Sequence, residues 1–155
     1  MPLQERLSNL SSLPSGQSPL KAHTPTIAEI RQHIEKADNL LTDAKRKANS
    51  LDGRFNNAYS AVHSFLMASL KMHGYRTSTE KGHRAVLFEL IDGLVPAASA
   101  TQEMLIRISN MRNRSEYDST DVPVTNALVE GLIDAVANVQ EEVGIQFKKF
   151  LRMAE

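Results

Sequence analysis

Cysteine and tryptophan are absent from the 155-residue chain, and aromatic residues make up only 5% of it. Without cysteine there can be no disulfide, no thiol nucleophile, no iron–sulfur cluster and no cysteine-ligated zinc site. The shortage of aromatic side chains disfavours an extended groove that stacks single-stranded bases. The lack of cysteine also fits a reducing compartment, so we expect a cytoplasmic protein that uses no cofactor.

Neither sign of charge dominates, because 18 Lys and Arg residues balance 18 Asp and Glu residues. This balance argues against broad, charge-driven binding to DNA or to an anionic membrane, and leaves a local basic patch open. No apolar run approaches the roughly 20 residues of a membrane-spanning helix, and the N-terminus lacks the apolar core of a signal peptide. The five His residues show no metal-binding spacing. We therefore expect no metal site and no membrane contact.

What is present is a chain with 41% hydrophobic residues, long enough for one domain with a sizeable core. Residues 1–25 contain four prolines and many serines and are predicted to be a flexible tail. The alternative is a short helix over residues 3–13, packed on a partner or on the chain's own domain, because four leucines recur there every three or four positions. Residues 26–153 are predicted to form the folded domain.

Apolar residues spaced three and four apart predict five helices in this domain. The first begins at Thr26, which has capping-box spacing to Glu29, and is broken by Asp52-Gly53. The second ends at Gly74. The predicted bounds of the remaining helices are about 83–94, 97–114 and 122–152. Since no segment alternates in the manner of a strand, the sequence predicts an all-α, mostly antiparallel helical bundle.

The most informative segment is Arg112-Asn113-Arg114-Ser115-Glu116-Tyr117, where the fourth amphipathic pattern stops. Cationic, amide and phenolic groups at one helix end suit a phosphate-bearing ligand. Arg107 and Arg114 give this helix a basic second half, and Arg76 lies in the loop after the second helix, so these three are candidate RNA- or nucleotide-binding residues. The alternatives are a basic cap that offsets the helix dipole and a solvated surface paired with nearby glutamates.

A set of short motifs in this order on a helical scaffold resembles the HEPN family (higher eukaryotes and prokaryotes nucleotide-binding): Ala58-Tyr59, Gly74-Tyr75-Arg76, Gly82-His83, and Arg112-Asn113 with Tyr117. The resemblance covers about residues 27–152. It implies a helical bundle that forms a homodimer around a shared cleft. Many members of the family are metal-independent ribonucleases of toxin, anti-phage or RNA-processing systems. An antitoxin or a nucleotidyltransferase is therefore the expected protein partner.

The family motif is an Arg followed by a polar residue and, a few residues later, by a His. Arg112 and Asn113 match its first half, whereas Tyr117 stands where the His most often falls. Metal-free RNA cleavage needs a group that accepts the proton of the 2′-hydroxyl, and Tyr is a poor base at pH 7 because its pKa is about 10. This departure favours binding or regulation over catalysis. His83 is the candidate to replace the missing His, and its alternative is an exposed His at a helix start.

Two functional hypotheses follow from these residues. In the catalytic form of the first, Arg112 stabilises the transition state, Asn113 orients the 2′-hydroxyl or the phosphate, and Tyr117 or His83 transfers a proton. In its binding form, the same residues only hold RNA or a nucleotide. The second hypothesis is a non-catalytic dimerisation or interaction module, in which apolar faces of the first and last helices join chains. The sequence leaves open whether the protein is an enzyme.

Overall fold

The computed structural model describes residues 2–14, 16–78, 84–96, 99–118 and 124–154, without the side chains of residues 84, 99, 100 and 112–118. These ranges hold seven helices and one pair of short strands. The elements are α1 (Leu3–Ser11), β1 (Leu20–Ala22), α2 (Ile27–Lys45), α3 (Leu51–Met72), β2 (Tyr75–Thr77), α4 (Arg84–Glu89), α5 (Ile91–Leu94), α6 (Ser99–Asp118) and α7 (Asn126–Met153). The predicted all-α class is confirmed, whereas the two strands were not predicted.

Helix α2 begins at the predicted capping box. Thr26 Oγ1 accepts a hydrogen bond from the Glu29 N–H at 3.2 Å, and Glu29 Oε2 accepts one from the Thr26 N–H at 3.0 Å. The predicted break at Asp52-Gly53 is wrong, because Ser50 already caps α3 by accepting from the Gly53 N–H at 3.0 Å. Asp52 and Gly53 therefore lie in the first turn of α3, where an acidic side chain suits the positive end of the helix dipole.

The core is built around α3, which packs against both α2 and α7. Apolar residues spaced three and four apart lie on the inward faces of these three helices, and many of them are fully buried. Gly74 ends α3 with a φ of +90°, a left-handed conformation that glycine adopts without steric cost. The buried side chains of these helices include Ala37, Leu41, Phe65, Leu66, Leu70, Leu132, Val136, Val139 and Val143.

The N-terminal segment is ordered, so the flexible tail predicted for residues 1–25 is wrong for the part that the structure describes. Leu7 and Leu20 are fully buried in the same core as the bundle. Arg6 forms an ion pair with Asp92 at 2.9 Å and donates to the Glu89 carbonyl at 3.0 Å. Helix α1 is thereby attached to α4 and α5. The alternative of a short helix over residues 3–13 is the one that the structure has.

The flexible tail was predicted from the prolines of residues 1–25. In the structure these prolines lie before or between helices and strands and do not prevent them from forming. Pro2 immediately precedes α1, and Pro14, Pro19 and Pro25 lie between α1, β1 and α2. Strand β1 pairs antiparallel with β2, Lys21 lying opposite Arg76. This pairing connects the N-terminal segment to the end of α3, a contact between residues far apart in sequence that local composition does not reveal.

The middle of the chain differs from the prediction in two places. The predicted third helix is split into α4 and α5, with Leu90 between them at φ −95° and ψ 3°. Helix α6 continues to Asp118 instead of ending at Arg114, since residues 115–118 are polar but include no Gly or Pro to break it. Helix α7 matches the predicted fifth helix, and Thr125 caps it by accepting from the Leu128 N–H at 3.1 Å.

Candidate functional site

Helix α6 carries most of the residues predicted to bind phosphate. The backbone of residues 112–118 is helical, and the side chains of Arg112, Asn113, Arg114 and Tyr117 lie outside the described part of the structure. His83 lies outside the described residues altogether. Positions three or four residues apart lie on the same side of a helix, and we call such a set a row. The backbone therefore shows to which row of α6 each position of the motif belongs.

One row of α6 faces the core. Positions 105, 108 and 112 follow one another at intervals of three and four residues, which places them on one side of a helix. Leu105 and Ile108 are each only 1% exposed and pack with the core of the bundle. Position 112 therefore belongs to the row that these two residues define.

A second row of α6 faces outward. Positions 107, 110, 114 and 117 repeat the same intervals, and Arg107 and Asn110 are exposed. We call the row of positions 107, 110, 114 and 117 the exposed α6 row, after its described residues Arg107 and Asn110, which are exposed. The prediction that Arg112 and Tyr117 lie together at one helix end assumed that the helix ends at Arg114. In the continuous helix, positions 112 and 117 lie about 140° apart, so they do not share a row.

Two shallow cavities adjoin the exposed α6 row. The larger, of about 460 Å³, is lined by Glu103, Ile106, Arg107, Asn110 and Met111. The smaller, of about 210 Å³, lies between α4 and α6 and shares Ile106 and Asn110 with the first. The row thus offers a guanidinium and an amide, which are hydrogen-bond donors to phosphate oxygens. Apolar side chains and two carboxylates, Glu103 in the larger cavity and Glu89 in the smaller, lie next to them.

The structure does not bring Arg76 to this row. Arg76 lies on β2, which packs against β1 and α3, whereas α6 packs against α4 and α7. Its Nη1 donates to the Thr77 carbonyl at 3.2 Å. Of the three predicted phosphate-binding arginines, Arg107 and Arg114 therefore share one helix row, and Arg76 stands apart.

A charged cluster that the sequence analysis missed lies where β1, α2 and α3 meet. Glu29 Oε1 is 2.6 Å from His23 Nε2 and 3.2 Å from Lys71 Nζ. Burial raises the pKa of the Glu29 carboxyl, but hydrogen bonds from Thr26, His23 and Lys71 outweigh burial and lower it to about 2. One turn along α2, burial and the nearby Lys71 charge lower the pKa of His33 to about 4.

This cluster connects elements, and it lies apart from the two cavities beside α6, which other side chains line. His23, Glu29 and Lys71 have no motif spacing, because only the α2–α3 hairpin brings them together. The sole sequence signal was the capping box, which identified Glu29 as a helix-start residue.

The described residues contain no group of three His, Asp or Glu side chains that could hold a metal ion. Within the same ranges, no helix combines the length and the apolar character needed to cross a membrane. No family model, no curated protein and no solved structure matches the chain. The resemblance to the HEPN family therefore stays a prediction from the sequence.

Proposed function

We propose that the chain is a HEPN-like helical protein of the cytoplasm that binds the phosphates of RNA or of a nucleotide through the exposed α6 row. Its setting is a toxin–antitoxin, defence or other nucleotide- or RNA-linked system. The observation that supports the proposal is the row itself: exposed Arg107 and Asn110 are followed on an unbroken helix by positions 114 and 117. One guanidinium group can bind two oxygens of a phosphate at once, and an amide can bond to a ribose hydroxyl or a base edge.

The negative charge of Glu103 should weaken phosphate binding at the exposed α6 row. Glu103 lies four residues before Arg107 and lines the same cavity. A carboxylate that lines the same cavity as Arg107 repels an incoming phosphate. Removing its charge should therefore strengthen phosphate binding.

The resemblance adds a homodimer and an antitoxin or nucleotidyltransferase partner to the proposal. It also adds a catalytic form, a metal-independent endoribonuclease that uses Arg112, Asn113, Tyr117 and His83. Because positions 112 and 117 lie about 140° apart, RNA on the exposed row of one protomer meets position 117 but not position 112 of that protomer. We therefore favour the binding form.

The second candidate function is the non-catalytic interaction module. Ile106 favours it, because this side chain is 43% exposed between the two cavities on α6. An exposed apolar side chain flanked by concave surface suits a protein partner. The two functions compete for the same face of the helix and can be separated by single variants.

Fluorescence anisotropy with a labelled single-stranded RNA and a labelled nucleotide tests the proposal. Arg107→Ala and Arg114→Ala should each weaken binding. Each should also lower the magnitude of the slope of log affinity against log salt concentration by about one. Arg46→Ala is the control, since it removes the same charge from the exposed end of α2. Glu103→Gln should bind more tightly than wild type. Equal affinities for all of these folded variants would refute the phosphate site.

Two further measurements separate the remaining versions. RNA cleavage by wild type in the presence of EDTA, lost in Arg112→Ala, would support the ribonuclease. Self-association in analytical ultracentrifugation that is lost in Ile106→Asp, without any RNA affinity, would support the interaction module.

A further inference from the structure

A third cavity lies where the C-terminal ends of α3, α5 and α7 meet. Its volume is about 620 Å³, within the range of small-molecule sites. Met72, Phe150 and Met153 give it an apolar surface. None of the residues assigned to phosphate binding lines it, so the inference drawn from it is independent of the proposed function.

One wall of the cavity is held rigid by a buried polar network. Gln146 Nε2 donates to the Leu94 carbonyl at 2.6 Å, and Gln146 Oε1 lies 2.7 Å from the Ser69 hydroxyl. Leu94 and Ser69 are fully buried. Both ends of the Gln146 amide are thus engaged, and this network joins α3, α5 and α7 behind the cavity. The cavity is therefore a preformed feature of the bundle.

His73 is oriented in the same way. Its Nδ1 lies 2.8 Å from the Ser69 carbonyl, which can only accept, so Nδ1 carries the hydrogen. This contact satisfies a carbonyl in the last turn of α3. It leaves Nε2 as the ring nitrogen for another partner, and His73 lines the cavity.

Lys149 is the charged side chain among the described residues that line the cavity, and none of those residues is Asp or Glu. The Lys149 side chain is exposed and forms no ion pair with another described residue. Lys148 and Arg152 stand near it on α7 and add to the positive potential. These side chains lie at the negative dipole ends of α3 and α7, which they offset, and their full charges attract an anionic group.

We propose that this cavity binds an amphipathic anion, a small molecule with a flexible apolar chain and one carboxylate. The chain lies among Met72, Phe150 and Met153, and the carboxylate lies at Lys149. Methionine side chains adapt to irregular apolar shapes, which suits a chain without rigid rings. A medium-chain fatty acid has this chemistry.

Sodium decanoate, kept below its micelle concentration, is the probe for the full-length protein labelled with [13C-methyl]methionine. Met72 and Met153 should shift in a saturable manner, whereas Met104 and Met111 on α6 should not. Decyltrimethylammonium, which has the same chain and the opposite charge, should bind more weakly. Equal shifts at all methionines, or no saturation, would overturn the proposal.

Two matched variants test the role of the charge. Lys149→Gln should weaken decanoate binding about two- to fivefold, the effect expected of one exposed charge pair. Lys148→Gln removes the same charge from an exposed neighbour that does not line the cavity, and should leave the affinity unchanged. Equal losses in both variants would contradict a specific carboxylate contact at Lys149. Ala154→Trp, at an exposed position on the cavity edge, should block the apolar chain of either probe, and undiminished binding there would place the ligand elsewhere.

Discussion

Glu29 Oε1 lies 3.2 Å from Lys71 Nζ, which joins the first turn of α2 to the last turn of α3. Each residue also suits its own helix end, because a carboxylate is stabilised at the positive end of the helix dipole and an ammonium at the negative end. His23 adds β1 to the same carboxylate at 2.6 Å. One carboxylate thus holds three elements, and its ionisation should affect the stability of the whole N-terminal region.

The first prediction concerns Glu29 in acid. Its pKa is about 2 in the folded protein against an ordinary 4.5, so its contribution to the free energy of unfolding is fully present above pH 4.5. As the pH falls from 4.5 towards 2, the unfolded chain binds a proton that the folded chain does not, and stability decreases. Urea unfolding at pH 5.5, 4.0 and 3.0 measures this slope. Glu29→Gln should flatten it, and Glu35→Gln, at an exposed position of the same helix, should not.

The second prediction concerns His33 at milder pH. Because its pKa falls from 6.5 to about 4 on folding, the neutral ring is favoured in the folded state. Between pH 6.5 and 4 the unfolded chain is protonated at this residue and the folded chain is not, so stability decreases as the pH is lowered. The loss should not exceed about 3 kcal/mol, the free energy of this pKa shift. His33→Gln should remove this component from urea unfolding measured between pH 7 and 4.5. An unchanged slope would show that another group titrates in this window.

The third prediction concerns Arg54, which is charged yet only 3% exposed. Its Nε donates to the Ala44 carbonyl at 2.8 Å, near the end of α2, and its Nη2 lies 2.8 Å from Glu130 on α7. Arg54→Ala leaves both partners without their donor and should lower the free energy of unfolding by about 3 kcal/mol. Chemical denaturation measures this loss. Arg46→Ala, which removes an exposed arginine near the same end of α2, should have little effect.

The fourth prediction concerns the N-terminal segment. Leu7 is fully buried, so Leu7→Ala should destabilise the protein by about 2–5 kcal/mol if α1 unfolds together with the bundle. Leu13→Ala is the matched control, because Leu13 is 44% exposed and its loss should change stability by no more than about 0.5 kcal/mol. Thermal unfolding by circular dichroism compares the two. Equal midpoints for both variants would mean that α1 is detached in solution.

Local patterns were sufficient for the features that depend on neighbouring residues. Capping-box spacing located the start of α2, and the glycine at position 74 located the end of α3. The errors arose where distant residues decide the outcome. The order of α1 depends on burial of Leu7 and on the Arg6–Asp92 ion pair, which joins residues 86 positions apart. The Glu29 cluster likewise exists only because two helices pack together.

The candidate site was predicted in its composition but not in its geometry. The sequence identified a stretch of arginines as the candidate site. Its predicted helix end at Arg114 lies four residues too early, and this error put Arg112 and Tyr117 together at one helix end. Extending the helix rearranges these positions into two rows without changing any residue. A small error in a helix boundary therefore alters which side chains can act together, because each residue turns the helix by about 100°.

Arg112 and Arg114 provide a matched pair for the last prediction. They are the same residue type two positions apart, and the helix places position 112 in the row of Leu105 and Ile108 and position 114 in the row of Arg107 and Asn110. Arg114→Ala should therefore weaken binding of single-stranded RNA and lower the magnitude of the slope of log affinity against log salt concentration by about one. Arg112→Ala should leave both quantities near wild type. Anisotropy titrations at three salt concentrations compare the two variants. A larger loss of RNA affinity for Arg112→Ala than for Arg114→Ala would place the phosphate site at the family motif, Arg112-Asn113, and not at the exposed α6 row.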